Sequence, residues 1–178
     1  MYNNYKCNFL KNDIMSNNGI EKQRRAVSFI SGGPLAPDIN GIVVFTDVPG
    51  GAEVSVEIFG LPLYSPAVNG SGPMGPLGFH IHENGTCDEG SADDPFTAAG
   101  AHWNPDNQPH GNHAGDFPNL FSNGGYSRIV FFTERFKVSD IIGKSIIIHQ
   151  NPDDARTQPS GNSGKRLACG LIREIVLQ

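Results

Sequence analysis

Past residue 23 the chain is a succession of short runs rich in Val, Ile and Phe, each cut off within a few residues by Gly, Pro or Asn. That rhythm constrains the fold more than any other feature. The clearest run, Glu53–Phe59 (EVSVEIF), alternates strictly: Val54, Val56 and Ile58 share one face, and Glu53, Ser55 and Glu57 the other. Period-two alternation marks a half-buried strand with one wet side. Ala26–Ile30, Ile42–Val48, Gly78–His82, Tyr126–Phe132, Lys144–His149 and Ala168–Val176 continue the series, and Pro49-Gly50-Gly51 joins two runs as a tight connection. No 11-residue window carries a helical stripe, although Val138–Ile142 suits a single turn. Eight or so short strands in one unit predict an all-β antiparallel sandwich or barrel.

The length of 178 residues fits one domain, spanning 24–178, behind a polar N-terminal extension over 1–23. A net charge of −5 gives no general attraction for nucleic acid or an anionic membrane. No apolar stretch approaches the roughly 18 residues of a membrane span. The extension lacks the apolar centre of a secretory signal, so the cytoplasm is the default expectation for location, while a disulfide would favour a place outside it. Met15 offers an alternative start, and Cys7 reads as an incidental exposed thiol. Cys87 and Cys169 lie inside the folded region, where composition leaves buried thiols and a bridge equally open.

Two long stretches interrupt the strand rhythm, 83–115 and 150–167. Loops of such length in a compact domain are usually functional or disordered. All six histidines fall between positions 80 and 149, and three of them lie in the first loop. On a strand, His80 and His82 project from one face about 6.6 Å apart, with Phe79 and Ile81 on the other. His149 closes the run SIIIH, where alternation turns Ile146 and Ile148 inward and Ile147 with His149 outward. Each of these, alone, also suits a wet strand face. His102, His110, His113 and Asp116 supply four N/O donors within 15 residues, a set suited to tetrahedral zinc, in a loop whose Gly and Pro residues let it wrap an ion. Six imidazoles and one carboxylate exceed the needs of one tetrahedral ion, so the count points to two metals.

The segments GFHIHENGTC, AHWNP, HGNHAGD, IIIHQNPDD and GNSGKRLACGLI, in that order, resemble the copper/zinc superoxide dismutase family over roughly residues 24–176. The resemblance implies an eight-stranded Greek-key β-barrel and the dismutation of superoxide to oxygen and hydrogen peroxide. It implies copper on His80, His82, His102 and His149, and zinc on His102, His110, His113 and Asp116, with His102 bridging the two and carrying a proton between half-reactions. Asp153 matches the aspartate that joins a copper histidine to a zinc histidine. Arg166 matches the arginine that docks the anionic substrate, and Cys87 and Cys169 match the family's intrasubunit disulfide. Lys165 is a further local attraction for superoxide, and Arg156 and Thr157 are weaker candidates for the channel wall.

Loop spacings depart from the eukaryotic type: His82 to Cys87 is short, Cys87 to His102 is long, and only Gly111 and Asn112 separate His110 from His113. These look closer to bacterial members. Dimer contacts vary within the family, so a homodimer is allowed without being carried over. Two rivals remain: a catalytically silent relative that binds zinc or copper, and a copper-delivery protein. The first should lack a ligand or the channel arginine, and the second should carry a CxxC or CxC pair; neither condition is met.

Overall fold

The computed structural model describes residues 23–66, 68 and 74–176; residues 1–22, with Cys7 and Met15, lie outside the described residues. The strands are β1 (Arg25–Gly32), β2 (Asn40–Val48), β3 (Gly51–Phe59), β4 (Phe79–His82), β5 (Ser127–Thr133), β6 (Ser145–His149) and β7 (Arg166–Glu174). They pair antiparallel in the order β4-β6-β7-β1-β2-β3-β5. After β3 the chain crosses to the far edge to lay down β4, then returns to place β5 beside β3. That pair of crossings is a Greek-key connection. One short helix, α1 (Val138–Ile141), forms the expected single turn.

Inward residues of β1, β2, β3, β4, β6 and β7 meet in one cluster, among them Ile30, Phe45, Val56, Phe79, Ile146 and Ile172. Edge strand β4 and the central strands can share one cluster only if the sheet curls around it. Burying each such side chain contributes about 1.5–3 kcal/mol. The tight β2–β3 connection is present at Pro49-Gly50, where Gly50 takes the left-handed φ of 86° that a side chain would resist.

Seven strands form among the described residues rather than the expected eight. The missing partner of β4 is the segment 116–120, which runs beside it through isolated bridges, His80 with Asp116 and Leu77 with Leu120. Pro118 has no N–H for a ladder, and the Asn119 side chain is taken by Asp153. The wet outer face that the histidines of β4 and β6, taken alone, also suited is absent, since both strands are buried throughout. The two long loops cover that face. Ile147 is thereby drawn into a second small cluster with Phe96, Ala99 and Cys169, against which Cys87 packs.

Candidate metal centre

Strand β4 carries His80 and His82 on its outer face, and His149 ends β6 at a register shift between Ile148 and His149. The loop after β4 returns antiparallel to it. Trp103 N donates to Ile81 O at 2.8 Å, Ile81 N to Gly115 O at 2.9 Å, and Gly115 N to Trp103 O at 3.0 Å. Trp103 is anchored edge-on against Phe136 in the core, with Lys144 Nζ 5.1 Å from its ring. A side chain at Gly115 would strike Ile81 O, so glycine is what lets the loop lie this close. The result brings His102 over His80, ring centroids 3.9 Å apart and stacked.

All six histidines are buried. Their donor atoms fall into two groups, His80, His82, His102 and His149, and His102, His110, His113 and Asp116, with His102 common to both. Within each group the ligating atoms lie within 4.8 Å of one another. These are the residues singled out from the sequence, and every one is brought together.

The hydrogen bonds on the far side of each ring fix which nitrogen is free. His82 Nδ1 lies 3.0 Å from Gly100 O and His149 Nδ1 3.3 Å from Gly164 O, so both carry their proton there. Their Nε2 atoms then face each other at 3.2 Å with a lone pair on each. Burial, helped by the neighbouring imidazoles and, for His82, by Arg166, holds both rings well below the ordinary histidine pKa, so protonation does not relieve the contact. Two opposed lone pairs in a buried site are what a cation resolves. Asp153 does the equivalent work for His80 and His110: Oδ2 accepts from His80 Nε2 and Oδ1 from His110 Nε2, each at 2.8 Å. That leaves Nδ1 of both rings, together with His102 Nε2 and His113 Nδ1, buried and without a hydrogen-bond partner. Buried orphan acceptors of this kind demand an explanation, and a metal ion is one. The donors thus fit two ions of the imidazole-binding kind.

Asp116 sits among the second group, Oδ1 3.1 Å from His102 Nδ1 and 3.3 Å from His113 Nδ1. Burial alone would raise its pKa, but the His102 hydrogen bond and the three nearby imidazoles outweigh that and hold it down to about 2. Gly111 N and His113 N donate to its Oδ2. His80, although paired with Asp153, is lowered to about 4 because burial opposes its charged form more than the carboxylate favours it.

Arg166 opens β7 and is clamped by two carbonyls. Nη1 donates to Phe96 O, and Nη2 to Gly100 O at 2.7 Å. Since Gly100 O also accepts from His82 Nδ1, one carbonyl ties the arginine to a ring of the four-histidine group. Cys87 and Cys169 form the disulfide that pins this loop to β7. Between Cys87 and Phe96 the chain makes a small closed excursion. Phe96 N donates to Glu89 O, and Gly90 pairs with Pro95. Lys165 Nζ donates to Asp93 O on that excursion. Arg156 and Thr157 sit exposed in a turn capped by Asp154.

Several supporting residues carried no signal in the sequence. Gln158 exchanges hydrogen bonds with the His110 backbone, and Asn119 does the same with Asp153. Arg135 Nη1 donates to His113 O at 2.9 Å and to Asp116 O at 3.3 Å. Each joins residues far apart in the chain, which no local pattern reveals.

The family model for copper/zinc superoxide dismutase (SODC) matches residues 39–172. The chain belongs to the copper/zinc superoxide dismutases. Among relatives, the dismutase of Deinococcus radiodurans is 36% identical over 154 residues, covering 77% of this chain and 79% of its own. The superoxide dismutase-like protein YojM of Bacillus subtilis is 37% identical over 121 residues, covering 60% of each. Among solved structures, the Cu/Zn superoxide dismutase from Brucella abortus superposes with a TM-score of 0.66 at 29% identity, covering 83% of this chain and 98% of that one. The family uses copper and zinc, the two metals that the resemblance implied and whose number the donor count suggested. No helix among the described residues is long and apolar enough to cross a membrane.

Proposed function

We propose that this dismutase converts superoxide with copper held by His80, His82, His102 and His149, and zinc held by His102, His110, His113 and Asp116. The overall change is two superoxide anions plus two protons to one dioxygen and one hydrogen peroxide. The observation that carries the reading is the pair of lone pairs 3.2 Å apart on His82 and His149, beside a His102 ring with a donor atom in each group.

Copper, when bound by these four histidines, would supply the one-electron couple that the reaction needs and that zinc does not offer. Everything else is the work of side chains. Arg166, held by Phe96 O and Gly100 O, offers a fixed cation beside the four-histidine group and orients the anion there. A protein of net charge −5 repels superoxide at long range, so Arg166 and the neighbouring Lys165 provide the local attraction. His102 Nε2 is the position where a proton can be held and handed to the reduced product, because its Nδ1 stays turned to the Asp116 group. Asp153 keeps His80 and His110 in the tautomer that leaves Nδ1 free to bind metal. The disulfide braces the loop that carries Gly100.

Apoprotein reconstituted with both metals should consume superoxide, with a rate that tracks copper content and not zinc alone. Full occupancy of both sites without dismutation would leave a silent metal-binding relative as the correct reading.

A further inference from the structure

Phe96 is the most unusual residue in the loop around Arg166. Its φ of 61° and ψ of 23° place a bulky side chain in the left-handed region, which L residues rarely adopt. An outlier of this kind persists only where its surroundings over-determine it. Here three things do so. The ring is buried in the small cluster with Ala99, Ile147 and Cys169, against which Cys87 packs. It also lies on Gly33, whose missing side chain is its seat: a Cβ there would come 2.5 Å from Phe96 Cε2. Gly33 N in turn donates to Leu167 O at 2.8 Å, one residue beyond Arg166. The third constraint is the excursion closed by the bond from Phe96 N to Glu89 O.

We propose that Phe96 is a positioning residue for Arg166: its ring, seated on Gly33 and the disulfide, holds a left-handed backbone that aims the Phe96 carbonyl at the guanidinium. In an ordinary φ < 0 conformation the same carbonyl would swing away, and Arg166 would keep only its Gly100 contact. Cys87 lies nine positions upstream, and its own carbonyl makes no bond to Arg166 among the described contacts. The disulfide shares the small apolar cluster with the Phe96 ring, and it is Phe96 and Gly100 whose carbonyls meet the arginine.

The inference rests on the reading of Arg166 as the anion dock, and two readouts keep them apart. The first is the rate at which phenylglyoxal modifies Arg166, followed by peptide-resolved mass spectrometry on metal-free and metal-loaded protein. The second is azide affinity of the copper- and zinc-loaded protein, from its visible absorption. Phe96→Ala should raise both the Arg166 modification rate and the azide dissociation constant about fivefold, with metal content and disulfide unchanged. Phe96→Leu, which keeps buried bulk, should recover most of the loss, and Gly33→Ala, which evicts the ring, should reproduce it. Should Phe96→Ala fail to accumulate, the leucine and Gly33 variants decide alone. Arg166 modification within twofold of the parent in folded Phe96→Ala and Gly33→Ala, or a Phe96→Leu as reactive as Gly33→Ala, overturns the proposal. Unchanged azide affinity in Arg166→Ala would instead overturn the docking role of Arg166, leaving the Phe96 contact to be judged by modification rate.

Discussion

Asparagine in place of Asp153 removes one charge and almost no volume, which makes it a sharp probe of how the centre is held. In the parent, the two carboxylate oxygens accept separately, Oδ2 from His80 and Oδ1 from His110. Asparagine has one acceptor oxygen and turns an NH2 toward the other ring, donor against donor. The ring so faced has to move its proton to Nδ1, the atom turned inward, and ceases to be a ligand. A buried charge-assisted hydrogen bond is worth about 1.5–3 kcal/mol, and about 1.4 kcal/mol is tenfold in affinity. At least one metal should therefore bind about 10- to 100-fold more weakly. The assay is competition of the apoprotein against a chromophoric chelator, run separately for copper and zinc. If both affinities stay within about threefold of the parent, Asp153 does not set the tautomers and the reasoning fails.

Other perturbations address the same frame. Alanine at Gly161 would drive a methyl into Asp153 Oδ1 and His110 Nε2 at a φ of 65°, so it should weaken zinc retention and lower the apoprotein's unfolding midpoint, both read by the same titration and by calorimetry. Replacing Cys87 and Cys169 by serine opens a link across 82 positions; the chain-entropy model puts the loss at about 4.5 kcal/mol or less, measurable by denaturant unfolding of the apoprotein. Acid should also destabilise the apoprotein. Burial lowers His80 from 6.5 to about 4, so between those pH values the unfolded chain takes up a proton that the folded chain refuses. Stability is full above about pH 6.5 and falls toward pH 4, by about 3 kcal/mol from this ring alone, with His82 and His149 shifting the same way. A denaturation midpoint flat between pH 7 and 5 would contradict this.

Much of the centre was legible because its chemistry is local. The HxH pair on β4 and the compact run from His110 to Asp116 have spacings that a strand and a loop convert directly into converging donors. Strand count was less legible. The segment 116–120 has the apolar content of a strand, but Pro118 and the engaged Asn119 reduce it to isolated bridges. Alternation alone also left a wet face open on β4 and β6 for a related reason: it reports what a strand presents, not which distant loop covers it. The same blindness hid Gln158, Arg135 and Phe96, whose partners lie from 19 to 70 positions away.

The excursion between Cys87 and Phe96 also bears on how such a chain can change over generations. Its neck is fastened twice, by Phe96 N to Glu89 O and by the pairing of Gly90 with Pro95. Residues inserted or deleted beyond that neck leave the carbonyl facing Arg166 on the anchored side, but the tip also carries Asp93, whose carbonyl accepts from Lys165 Nζ, and Asp94, whose charge acts on Arg166. Length variation at residues 91 and 92 is thus buffered from the arginine's aim, whereas drift at Asp93 and Asp94 reaches the two cations of the site.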